Sequence, residues 1–271
     1  MMRALYTAAT GMIAEQTNVD TIANNLANVN TNGYKAQRTE FKSLLYQTLQ
    51  TKTTTADGEN KPVGAQVGLG TRVSAITSIY TQGAMLASDS ATDFVLEGDG
   101  FFAVRGGDGE VTYTRNGNFI WGLAANGRTA LLDSMGGMVL DRENNPIYIP
   151  DGVNADSVVF SQSGEIGYKT VEGNYVDMEQ AFAIYHFDNP AGLEKLAFSR
   201  LQESLASGEP MLEGRDTTSQ SRVHQYFLEG SNVQVADEMV NMIIAQRAYQ
   251  MNSKAITTAD TMLEIANNLK R

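Results

Sequence analysis

The chain has 271 residues, 42% hydrophobic and 19% charged, which are the proportions of a folded protein with one large or two modest domains. A formal net charge of −11 at pH 7, with no run of lysine or arginine, argues against a nucleic-acid partner. Cysteine is absent, which excludes disulfides, thiolate metal sites and a cysteine nucleophile together.

From the N-terminus, Met1–Leu5 is followed by Thr7, Thr10, Glu15, Gln16 and Asn18. No apolar h-region exists, so no cleavable secretory signal is expected. Nowhere do about 18 apolar residues run together, so no transmembrane helix is expected either. By itself this reads as cytoplasmic, although export through an uncleaved N-terminus would leave the same sequence. Leu5, Met12, Val19 and Leu26 fall every seventh residue, with Ala8, Ala9, Ile22 and Ala23 beside them. That spacing predicts an amphipathic helix of about 25 residues. It should end near Asn28, because Asn30–Gly33 is dense in turn formers.

The terminal module is expected to include residues 1–50, followed by a flexible linker or long loop over 51–64, rich in Thr, Lys and Gly. Residues 65–230 read as a central, mainly antiparallel β-domain. Apolar or alternating runs lie at Asp93–Leu96, Phe101–Arg105, Val111–Arg115, Asn118–Trp121, Gly137–Leu140, Ile147–Ile149, Val158–Ser161 and Ala181–Phe187. Turn dipeptides such as Asp99-Gly100, Asp108-Gly109, Asn116-Gly117 and Asn126-Gly127 separate them.

Residues 231–271 predict a second long helix, with Ser231 or Asn232 as its cap and Asp237 and Glu238 in its first turn. Val235, Met242, Tyr249, Ile256 and Leu263 keep a seven-residue period, flanked by Ala248, Ala255, Met262 and Leu269. Two such stripes at opposite ends of one chain predict helices that pair as a coiled-coil-like module. The fold class is therefore α+β.

Charge is unevenly shared. Residues 1–50 carry +1 and residues 231–271 carry zero, which leaves −12 in residues 51–230. The helix faces away from the stripes carry Asn24, Asn25, Asn28, Asn241 and Asn252 where a solvated helix would carry charge. Such faces suit close contact with further polypeptide.

Chemistry is sparse. His186 and His224 have no zinc-ligand spacing around them, and no Gly-x-Ser-x-Gly elbow occurs. Gly98-Asp99-Gly100 matches neither a phosphate-binding nor a calcium loop and reads as a turn. Glu97, Asp99, Asp108 and Glu110 could be paired as a glycosidase would pair them, but an acidic β-domain offers such pairs by chance. Tyr113, Phe119 and the single Trp121 read as core aromatics. No catalytic residue, metal or cofactor is expected.

The segment Ala23–Lys35 (ANNLANVNTNGYK) resembles the signature of the flagellar rod and hook protein family. Ser231–Val233, Asn241–Ile243, Gln246–Tyr249 and Asn252–Lys254 resemble that family's C-terminal pattern. Leu44–Thr48, Gly64–Gly70 with Thr81–Gly83, and Glu97–Phe102 are similar to its distal-rod branch. Phe187–Glu194 and Ala206–Pro210 also look like the family, whereas Lys195–Arg200 lacks the glycine and asparagine usual after Glu194, and Val223–Phe227 is less typical.

The resemblance implies a non-enzymatic subunit of the flagellar basal body. It would be exported unfolded by the flagellar type III apparatus and polymerise by self-association into a helical rod around a channel. Its neighbours would be proximal rod and hook subunits, with ring proteins around it, and the rod would carry torque from motor to hook. The expected assembly interface comprises Leu5, Met12, Val19, Asn24, Asn25, Leu26, Asn28, Val235, Asn241, Met242, Tyr249, Asn252, Ile256 and Leu263. The alternatives are a hook or other rod subunit, or a coiled-coil-stalked β-domain enzyme or carbohydrate binder.

Overall fold

The computed structural model describes residues 2–50, 64–124, 127–150, 152–170, 174–216 and 220–269. Contacts within the chain define two compact units. Unit 1 comprises Met1–Ala27, Gln37–Ser78 and Gln234–Arg271; unit 2 comprises Asn28–Ala36 and Ile79–Val233.

Unit 1 contains α1 (Met2–Ala27) and α2 (Val235–Asn268), of 26 and 34 residues. At 1.5 Å per residue they are about 39 Å and about 51 Å long. Four strands accompany them. β1 (Gln37–Ser43) pairs antiparallel with β4 (Thr71–Ser78), and β2 (Tyr46–Gln50) with β3 (Ala65–Gly68). The strands at 65–78 therefore belong with the helices rather than with the central β-domain. Their only ladder partners among the described residues are β1 and β2, which lie before the expected linker. That linker, apart from residue 64, lies outside the described residues.

α1 ends where the turn formers predict. α2 starts later than expected, at Val235, with Gln234 in the cap position and no side-chain cap bond. Asn232 is not available to cap it. Its Oδ1 accepts the Ala36 N–H at 2.7 Å, and its Nδ2 donates to the Ile79 carbonyl at 2.8 Å and the Thr81 hydroxyl at 2.9 Å. Asp237 and Glu238 do occupy the first turn, where the helix dipole favours carboxylates.

Unit 2 is built on a sheet of nine strands among the described residues. Its central strand, Phe101–Arg105, is flanked by Val111–Thr114, Met138–Val139 and Ile184–His186. Successive side chains of a strand point to opposite faces. Phe102 and Val104 accordingly enter one apolar cluster, with Phe94, Phe119, Leu131 and Phe182, while Phe101 and Ala103 enter a second with Tyr113, Leu140, Tyr185 and Leu201. Burial on both faces explains why this strand reads as a continuous apolar run.

Most expected strands lie within a residue or two of their places. Ile147–Ile149 is an exception: it makes a single bridge, Tyr148 to Ala130, although both isoleucines are buried. Ala181–Phe187 splits between the end of Tyr175–Ala181 and the start of Ile184–His186. The core reading of Phe119, Tyr113 and Trp121 holds, with Trp121 partly buried against the first cluster.

Candidate assembly surfaces

The two terminal helices pack together through small residues rather than through the heptad stripe itself. The buried positions on α2 are Ala245 and Ala259, and on the first part of α1 Ala8 and Ala14. Between them, Gly11 faces Asn252, so a Cβ on Gly11 would stand 2.7 Å from the Asn252 Nδ2. Further along, Gln16 and Val19 share a groove with Gln246, Tyr249 and Gln250. Rising numbers on one helix meet falling numbers on the other, so the pair is antiparallel. Small side chains at the crossing let two helices approach closely.

The heptad residues straddle this seam. Leu5, Met12, Val19, Leu26, Met242 and Ile256 are half-buried, while Val235, Tyr249 and Leu263 are exposed. Of the flanking row, Ala255, Met262 and Leu269 are exposed and Ala248 is half-buried, while the row through 245, 252 and 259 takes the seam.

The asparagines divide. Asn24 and Asn241 are exposed, as an outward face requires. Asn252 is on the inward side, against Gly11, which corrects its outer-face reading. Asn25 is also used within the chain. It is 1% exposed, its Nδ2 donates to the Gln37 carbonyl and its Oδ1 accepts the Gln37 N–H, both at 2.8 Å. Asn28 lies past the helix end in unit 2, half-buried, and its Oδ1 accepts the Thr31 hydroxyl at 3.1 Å.

An outward apolar surface was missed. Met239, Val240, Ile243, Ile244, Met251 and Ile265 of α2 are all exposed, as are Tyr6 and Ile13 of α1. The signal was present in Met239–Ala245, where apolar residues occupy nearly every side of the helix. Helices apolar all round are ordinarily buried helices, whereas these side chains lie in solvent in the single chain.

Unit 2 holds a buried ionic node. The Lys35 Nζ lies 2.6 Å from the Glu229 Oε1 and donates to the Thr81 carbonyl at 2.9 Å. The Gly83 N–H donates to the same carboxylate oxygen at 2.9 Å, and Arg115 reaches the other at 3.5 Å. Arg115 also donates to the Gly98 carbonyl at 2.6 Å and covers the Phe101 ring at 5.1 Å. Burial holds the Lys35 ammonium below the usual lysine range, with Glu229 opposing it, and burial lowers the Arg115 guanidinium likewise. Gly33, at φ +69°, donates its N–H to the Glu229 carbonyl at 2.8 Å. A side chain there would meet the Arg115 backbone at 2.8 Å, so the signature turn needs this glycine on two counts.

The histidines are separate. His186 Nε2 lies 3.0 Å from Glu213 and 3.5 Å from the Ser221 hydroxyl, while His224 pairs with Glu97 at 2.9 Å. Serine and carboxylate meet the same nitrogen of His186, which is not the arrangement of a nucleophile relay.

Three segments match families described as flagella basal body rod protein (residues 5–35), flagellar hook protein FlgE/F/G D1 domain (95–168) and flagellar basal body rod FlgEFG protein C-terminal (224–269). Along the whole chain, the similarity is to flagellar basal-body rod protein FlgG. The chain is 43% identical to that of Borreliella burgdorferi, with 100% of both chains covered. It is 40% identical to that of Agrobacterium fabrum, covering 99% of this chain and 100% of the relative, and 36% identical to that of Bacillus subtilis, with 100% of both covered. The chain belongs to the FlgG family of flagellar distal rod proteins.

Membership in the FlgG family makes it a structural subunit of the flagellar basal body, in a family that is not enzymatic. No helix among the described residues is long and apolar enough to cross a membrane. The three matched FlgG-family segments each contribute one member of the ionic node: Lys35, Arg115 and Glu229.

Proposed function

We propose that the chain polymerises helically with copies of itself into the distal rod, its terminal helices building the channel wall and the rod carrying torque from motor to hook. Proximal rod and hook subunits adjoin it at the two ends, ring proteins surround it, and the flagellar type III apparatus exports it. One observation carries the self-association reading: the exposed apolar side chains Val240, Ile243 and Ile244 of α2, on a terminal segment whose net charge is zero. Leaving such a surface in water is unfavourable by about 25 cal/mol per Å² of apolar area, and a neighbouring subunit removes it. Of the residues expected at the interface, Asn24, Asn241, Val235, Tyr249 and Leu263 remain on accessible faces and stay in the proposal. Asn25 and Asn252 support the chain's own fold.

The test is an Ile243→Glu, Ile244→Glu variant. It should leave the monomer's melting temperature nearly unchanged, because both side chains are already in water, and abolish motility by blocking rod growth. Normal rods built from this variant would overturn the reading.

A further inference from the structure

Tyr113 and Tyr185 flank the central strand of the unit 2 sheet and enter the same apolar cluster, Tyr113 opposite Ala103 and Tyr185 opposite Phe101. The small Ala103 side chain lets the two rings meet across that strand, 5.4 Å apart and at 71° to each other. Tyr185 donates its hydroxyl to the Asn144 Oδ1 at 2.9 Å. Tyr113 is 4% exposed, yet its hydroxyl has no hydrogen-bond partner among the described residues. Buried polar groups are ordinarily paired, which sets this hydroxyl apart.

The hydroxyl does not face packed core. Tyr113 and Tyr185 line an open cavity of about 340 Å³, together with Glu110, Asn144, Glu203 and Pro210. Two of its walls are fixed within the chain. The Asp141 carboxylate accepts the N–H groups of Glu143 at 2.9 Å and Asn145 at 2.8 Å, shaping the turn that carries Asn144 at φ +61°. Between Glu203 and Pro210, Ser204 donates its hydroxyl to the Gly192 carbonyl at 2.6 Å and its N–H to the Ser207 hydroxyl at 3.0 Å. A cavity already formed spares a ligand the cost of ordering it.

The lining sets the sign of what can enter. Glu110 and Glu203 are exposed and make no ion pair among the described residues. The nearest cation, Arg105, is engaged by the Asn144 carbonyl at 2.7 Å. Burial, reinforced by the Glu203 carboxylate, raises the Tyr113 phenol, so its hydroxyl stays neutral. Beyond burial, Asp216 and Asp141 raise Tyr185, against Asn144 and Arg215. An anion would meet carboxylates here, whereas a cationic N–H donor would meet only acceptors that lack a partner.

We infer that this cavity binds an organic cation, a guanidinium or alkylammonium group that donates to the Tyr113 hydroxyl oxygen and lies between the Glu110 and Glu203 carboxylates. Such a group is carried by an arginine or lysine side chain of another protein or by a free polyamine. The cavity belongs to unit 2 of the single chain, so its occupancy is measured in the monomer and independently of rod growth.

The purified full-length chain, with isotope-labelled tyrosine rings, is titrated by NMR with Nα-acetyl-arginine methylamide, Nα-acetyl-lysine methylamide and spermidine. Nα-acetyl-citrulline methylamide serves as the neutral isostere of the first. At least one cation should shift the Tyr113 and Tyr185 resonances saturably and bind about tenfold more tightly than the citrulline probe. Binding of a capped residue assigns the cation to a protein side chain, and binding of spermidine alone to a free polyamine. Glu110→Gln with Glu203→Gln should leave the fold intact, both side chains being exposed, and weaken binding at least about fivefold. Tyr113→Phe, which keeps the ring packing, should weaken it at least about threefold. No saturable shift with any cation, equal binding of the citrulline probe, or unchanged affinity in either variant would overturn the inference.

Discussion

The Lys35 ammonium and the Glu229 carboxylate meet at 2.6 Å although 194 residues separate them, and both side chains are almost wholly buried. The pair joins the signature turn to the segment that precedes α2. Among the described residues Glu229 is the only acid in direct contact, whereas two cations face it. Its removal strands both in a dry site, so Glu229→Ala should destabilise unit 2 by about 3–5 kcal/mol. Lys35→Met should cost less, because Arg115 and the Gly83 N–H still face the carboxylate. Urea unfolding of the two variants gives the order, and a larger loss for Lys35→Met would contradict the account.

Asn25 closes the end of α1 on the strand that follows. With both of its bonds to Gln37 buried, Asn25→Ala should cost about 1–3 kcal/mol. Asn241→Ala, at an exposed site on α2, should cost much less. Thermal unfolding of the two variants provides the comparison, and equal losses would remove the clamp from the account.

The close crossing of α1 and α2 depends on the pairing of Gly11 with Asn252. Gly11→Leu should force the helices apart and lower helical signal in the isolated chain. For the smaller Gly11→Ala, part of the loss should be recovered by Asn252→Ala, which vacates the space. A double-mutant cycle measures this coupling; strict additivity would mean that the two residues do not meet.

Burial pushes the Tyr113 phenol well above its ordinary value of 10.0, and burial raises Tyr185 beside it as well. Because the unfolded chain ionises first, the stabilising contribution is complete below pH 10 and is lost as pH rises beyond it. Stability should therefore fall progressively as pH rises above about 10, and Tyr113→Phe should flatten part of that slope. An identical slope in the variant would place the titration elsewhere.

Legibility from sequence followed the nature of the contacts. The end of α1, the two-sided core strand Phe101–Arg105 and the turn at Asn30–Gly33 were readable because periodicity and turn chemistry are local. The seam was not, because a heptad count marks large apolar residues while the closest approach uses Ala8, Gly11, Ala14, Ala245 and Ala259. Asn25 and Asn252 look like outward polar residues until their partners, Gln37 and Gly11, are known. The assignment of 65–78 to the helical unit rests on β1–β4 pairing across about 30 residues, which no local pattern encodes. Met239–Ala245 was legible and under-read: its apolar residues exceed what one partner helix can cover.

The central claim, that the outward face of α2 is covered by neighbouring subunits in the rod, can be measured directly because the chain contains no cysteine of its own. Ile244, exposed, and Ala259, buried, are replaced one at a time by cysteine, and maleimide labelling is compared in the purified monomer and in intact basal bodies. The account predicts that Ile244→Cys labels readily in the monomer and is strongly protected in the assembled rod, while Ala259→Cys is protected in both. Equal labelling of Ile244→Cys in monomer and rod would contradict it.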